Sequence, residues 1–179
     1  MSRLVSFSMA GLVLFALALP ASAEHIYCTV VGVKQGAFGG TTGLNGNTKQ
    51  FPVLALTEEV TTSYDPSTGL GSGKRQHSPV TIIKLLDRSS TQFFTAAVDN
   101  ETLTSVTCTL YRESNGGERP YFKILLTHAN IVDIKEWGDG ASGDARGDER
   151  ERISFVYQKI ELTDLDTGAT AADDWLAGP

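Results

Sequence analysis

The feature that most limits what this chain can become is a two-residue alternation of apolar and polar side chains, which recurs from residue 25 to residue 165 and yields only once to a helical period. Alternation of that kind puts every second side chain on one face of a strand, so the apolar content can be buried only by pairing strands into sheets. Strands are expected over residues 25–34, 79–86, 105–112, 121–137 and 152–165, while residues 51–64 read either as one bent strand or as two. Turn formers separate them. Residues 36–46 and 138–151 read as glycine-rich loops, residues 65–73 as an exposed, flexible excursion, and Asn115-Gly116 as the centre of a hairpin turn.

The single helical stretch covers residues 87–100. Ser89 or Ser90 can cap it, Asn100 can end it, and Phe93, Phe94, Ala97 and Val98 form a stripe at helical spacing. The aromatic pair Phe93 and Phe94 is read as a plug for the core. One short helix among antiparallel strands implies a mainly β fold, two sheets or a closed barrel, with the helix covering one side or end.

Residues 1–23 stand apart from this pattern. Arg3 precedes an apolar run, which is followed by Pro20 and Ala21-Ser22-Ala23, the form of a secretory signal with a small-residue cleavage site. The apolar run falls short of the roughly 20 residues that span a bilayer, and no later run reaches that length. The mature chain is expected to begin at Glu24, to form one domain over residues 24–179, and to be exported to the periplasm or secreted. It is acidic: the whole chain carries a formal charge of −6, and loss of Arg3 lowers it further. Nucleic acid is therefore not an expected partner, because affinity for phosphate backbones comes from clustered Lys and Arg.

Two cysteines remain, Cys28 and Cys108, both at core-facing strand positions. An even count in an exported protein is compatible with a disulfide, and burial as two small hydrophobic residues is the alternative.

Catalytic signatures are sparse. His25, His77 and His128 follow no metal-site spacing. His25 would chelate copper only if cleavage fell one residue late and made it N-terminal. No Gly-x-Ser-x-Gly elbow occurs, and Gly69-x-Gly71-x-Gly73-Lys74 leads into a strand where a phosphate loop would lead into a helix. The carboxylates of residues 144–151 could bind calcium, but they lack the EF-hand ligand pattern and read as a solvated charged loop. No catalytic residue, cofactor or metal is expected. Trp175, in a tail of small residues, is expected to fold back over a barrel end or a subunit seam.

Three stretches carry a resemblance. The run Gly73-Lys74-Arg75-Gln76-His77-Ser78-Pro79-Val80-Thr81-Ile82, the strand Ser154-Phe155-Val156-Tyr157-Gln158-Lys159-Ile160-Glu161 and the tail Ala171-Ala172-Asp173-Asp174-Trp175 resemble the haemolysin-coregulated protein (Hcp) family, the tube proteins of type VI secretion. The resemblance implies a two-sheet antiparallel β-barrel with one short flanking α-helix. It also implies homo-hexameric rings that stack into a tube carrying effector proteins. The excursion over residues 65–77 would then reach a neighbouring ring, with Lys74, Arg75, Gln76 and His77 as its contacts. A cleavable signal departs from the family pattern, so an exported Hcp-like binding or structural protein outside a secretion tube is the alternative, and a small secreted enzyme a third.

Overall fold

The computed structural model describes residues 24–40, 46–114, 117–138 and 149–177. The expected signal, the Asn115-Gly116 step and most of the acidic loop lie outside the described residues. The described chain forms β1 (Glu24–Gly32), β2 (Gly36–Ala37), β3 (Phe51–Val53), β4 (Ala55–Thr57), β5 (Val60–Tyr64), β6 (Gly71–His77), β7 (Val80–Leu85), α1 (Ser90–Val98), β8 (Leu103–Ser114), β9 (Gly117–Trp137), β10 (Arg150–Asp164) and β11 (Thr170–Asp174). All strand pairing is antiparallel.

The main sheet runs β2-β1-β8-β9-β10-β7-β4, with β3 added to β1 and β11 added to β10. Its hydrogen-bonded path does not close into a ring. The chain itself crosses the gap: β3 pairs with β1 through Val53 and Ile26, and β4 pairs with β7 through Ala55 and Ile83. Val53 and Ala55 are two residues apart, and Leu54 between them donates its amide to the Ile83 carbonyl at 2.7 Å. The two edges of the sheet are thereby drawn together, so the sheet curls into a barrel with one covalently bridged seam. Residues 51–64, left open above, are three short strands.

Inward-facing Val30, Ile82, Leu126, Ile153 and Phe155 fill the barrel. The helix presses Phe93 into it, where the ring meets those of Phe38, Phe51 and Phe155 at centroid distances of 5.1, 5.5 and 6.2 Å. The expected aromatic pair divides here. Phe93 is fully buried, whereas Phe94 is 57 % exposed and looks outward. Adjacent helical residues are about 100° apart, and Ser90, Phe93 and Ala96 take the buried face, so Phe94 cannot share it.

The helix is also tied down by charge. Lys84 and Glu151 are both fully buried, with Lys84 Nζ 2.6 Å from Glu151 Oε1 and 2.7 Å from Asp87 Oδ1. Ser90 donates to Glu151 at 2.6 Å. Ser89 occupies the N-cap position, but its hydroxyl turns back to Asp87. Burial alone would raise the Asp87 carboxyl; bonds from Lys84 and Ser89 outweigh it and hold the group below its ordinary value. A second buried carboxylate, Glu101, accepts from the amides of Lys34 and Gln35 at 2.6 and 2.9 Å and pins the turn after β1. Gly32 leaves room for it, since a Cβ there would lie 2.4 Å from Glu101 Oε1.

Candidate assembly surface

The expected excursion supplies the turn and second strand of a two-stranded ribbon, whose first strand, β5, is the end of the run 51–64 expected to be strand. Among the described residues β5 and β6 pair only with each other, with Val60 opposite His77, Thr61 opposite Gln76 and Thr62 opposite Arg75. An exposed ribbon has no apolar face to reveal it in sequence, and its glycines and serines read as turn formers for that reason. Its tip is ordered by Asp65, whose side chain accepts from the Ser67 amide and hydroxyl at 2.8 and 2.7 Å while its carbonyl accepts from Gly69, a glycine at φ 69°. Tyr64 and Leu70, flanking that turn, are 67 % and 69 % exposed.

The four residues singled out from the sequence are divided by strand alternation. Lys74 and Gln76 point to solvent, whereas Arg75 and His77 point inward and are half-buried or better. Both inward residues meet Asp173 on β11. Arg75 makes a two-pronged pair with its carboxylate, and His77 Nε2 lies 2.7 Å from Asp173 Oδ2. The Arg75 hydrogen bonds, assisted by His77, hold the Asp173 carboxyl down at about 2. An ionised carboxylate only accepts, so Nε2 donates to it, and a neutral ring then leaves Nδ1 to accept from the Tyr157 hydroxyl at 3.0 Å.

Carboxylate, imidazole and hydroxyl, from Asp173, His77 and Tyr157, thus form one hydrogen-bonded chain. Burial, with the negative charges of Glu58 and Asp173, pushes the Tyr157 hydroxyl up to about 12, so it stays protonated near neutral pH and donates to His77. Trp175 closes the cluster, its ring 5.5 Å from that of His77 and 5.9 Å from the Arg75 guanidinium. Between ribbon and barrel runs an open cleft lined by Val60, Arg75, Ile160, Leu162, Ala171 and Asp173. The sequence had flagged Trp175 and the residues around Asp173. It held no signal linking Asp173 to Arg75, 98 positions earlier.

The other candidates lie elsewhere. His25 pairs with Glu118, and His128 meets Gln158 at 3.0 Å. Among the described residues no three His, Cys, Asp or Glu side chains are gathered for a metal, and no helix is long and apolar enough to cross a membrane. Cys28 and Cys108 face each other directly in the β1–β8 ladder, Cα atoms 4.1 Å apart, and are joined as a disulfide in the buried core.

The described residues form a curled antiparallel barrel with one flanking helix and a projecting ribbon on which Val60, Tyr64 and Leu70 are exposed, as are Phe94 and Val98 on the helix. Residues 27–163 match the family described as "Type VI secretion system effector, Hcp". The "Major exported protein" of Pseudomonas aeruginosa is 34% identical over 165 residues, which cover 86% of this chain and 96% of that protein. Among solved structures, "Secreted protein Hcp3 from Pseudomonas aeruginosa" superposes with a TM-score of 0.69 at 29% identity, covering 86% of this chain and 99% of that one. A crystal structure of an Hcp protein gives 0.77 at 24% identity, covering 86% and 98%, and supports the fold. The chain belongs to the Hcp family, the structural tube subunits of type VI secretion.

Proposed function

We propose that the mature domain, residues 24–179, forms homo-hexameric rings that stack through the β5–β6 ribbon into a tube carrying effector proteins, and that its role is structural, with no catalysis. The observation that carries this reading is the ribbon itself. Two strands standing off the barrel, with free edges and exposed Tyr64 and Leu70 at the tip, are a costly surface for a lone domain and a useful one for an assembling subunit. Of the four ribbon residues first considered, Lys74 and Gln76 are available to a neighbouring ring, and Arg75 and His77 hold the ribbon in place. Residues 1–23 are removed on export, which leaves the domain in the periplasm or outside the cell.

Light scattering and negative-stain microscopy of residues 24–179 test this. Six-fold rings or short tubes are expected, and the tip variant Y64S/L70S should lose stacking while keeping a folded barrel. A strict monomer at high concentration overturns the tube and favours the second reading, an exported Hcp-like binding or structural protein. That reading draws on the signal-like residues 1–23 and on the disulfide, both suited to a chain that folds in an oxidising compartment.

A further inference from the structure

The ribbon has an unusual dependence on one side chain. A two-stranded ribbon alone in water is marginal at best. β5 is exposed along its whole length, and β6 is exposed except at Arg75 and His77. The ladders of the main sheet do not continue into either strand. At the base, one backbone bond ties the ribbon's two ends together, from the Ser78 amide to the Glu59 carbonyl at 3.0 Å. That bond holds the ends close but does not set the angle at which the ribbon leaves the barrel. The two inward side chains can set it, and both converge on Asp173.

We infer that Asp173 is a clamp through which the C-terminal strand fixes the ribbon's orientation and thereby controls self-association. This rests on the reading of the ribbon as the assembly contact.

β11 is well suited to the role. Its sequence, Thr170-Ala171-Ala172-Asp173-Asp174, is poor in strand-favouring residues and pairs with β10 over five positions along one edge. Such a strand is easily displaced, and whatever lifts it takes Asp173 from Arg75 and His77 at once, leaving the Tyr157 hydroxyl as the hydrogen bond from β10 to His77. Trp175, next along the chain, packs against the same two side chains and is anchored by its amide to the Gln158 carbonyl at 3.0 Å. The ribbon and the C-terminal segment therefore form one mechanical unit 98 residues apart in sequence. Altering the C-terminus, by truncation or by a partner that pairs with β10, would free the ribbon without touching it.

The test compares D173N with the tip variant Y64S/L70S, reading deuterium uptake over residues 60–77 at monomer concentration and assembly by light scattering. In D173N, uptake over the ribbon should rise about tenfold or more, the factor matching one lost charge-assisted hydrogen bond, with barrel strands unchanged and assembly lost. The tip variant should keep the ribbon's protection and still lose assembly. Unchanged ribbon uptake in D173N overturns the clamp, and faster uptake with intact assembly overturns its control of association. Normal assembly of the tip variant instead overturns the ribbon as the contact, while the uptake measurement still reports on the clamp. Should D173N fail to fold, R75E breaks the same pair from the exposed side, and the exchanged pair R75E/D173K should restore protection. A purely local defect of either single change would not be rescued.

Discussion

Two clusters of charge in this barrel use the same chemistry to different ends. Beneath the helix, Lys84, Glu151, Asp87 and Ser90 form a network whose central pair has no solvent contact. At the ribbon, Arg75, His77 and Asp173 form one that water still reaches, with Arg75 39% and Asp173 26% exposed along the side chain. Burial decides what each can control. Removing a partner from the first strands a charge in a low-dielectric core, so that network is part of the fold itself. In the second, water can solvate what is left, so the loss is confined to where the ribbon points. A fold determinant and a surface determinant are thus distinguished by solvent access more than by the residues involved.

The largest effect that would sharpen this contrast is at Lys84. Lys84→Met leaves Glu151 buried and unpaired and should cost about 3–5 kcal/mol, read as a shift in the denaturant midpoint. The double change K84M/E151L removes both charges and should recover most of that loss. Recovery separates a stranded charge from a packing defect, and its absence would show that the network contributes more than mutual neutralisation.

Next comes the helix, where one strand of the contrast is apolar. Phe93→Ala should cost about 3–5 kcal/mol, because it empties the centre of the Phe38, Phe51 and Phe155 cluster. Phe94→Ala should stay within about 0.5 kcal/mol of the parent, as expected for an exposed position. Equal losses at the two positions would mean that the outward face of the helix is covered in solution.

These positions also mark how far the sequence could be read. The alternation in residues 152–165 and 121–137 was enough to place β10 and β9, since each buries one face against the core and so displays period two. The helix was placed by its stripe, but the stripe could not rank Phe93 against Phe94, because four apolar residues at helical spacing fit a wider arc than the barrel covers. Of the ribbon, β5 falls in the run 51–64 that reads as strand, whereas β6 reads as part of the excursion for the opposite reason: with no buried face it shows no periodicity. Lys84 was hidden in plain alternation between Ile82 and Leu86, its partner Glu151 lying beyond the acidic loop. Of the site, Lys74, Arg75, Gln76 and His77 were picked out by their run of polar side chains. Which two faced inward depended on strand register, and the register depended on pairing that no local pattern encodes.

The smallest effect is the one most particular to the ribbon. Asp173 is held at about 2, below the ordinary value of 3.8, chiefly by the Arg75 bonds. A carboxyl depressed by folding contributes stability that is present above its unfolded value and is lost as pH falls through the folded one. The clamp should therefore be intact above about pH 4 and should release between about pH 4 and pH 2, with Arg75 remaining charged throughout. Trp175 reports on it, since its ring lies against His77 and Arg75. In a Trp137→Phe background, its fluorescence should change across that interval, and the change should vanish in D173N. A change that persists in D173N would assign the acid response to the other carboxyls held below their ordinary values, Asp65, Asp87, Glu101 and Asp164, and would overturn Asp173 as the acid-labile element.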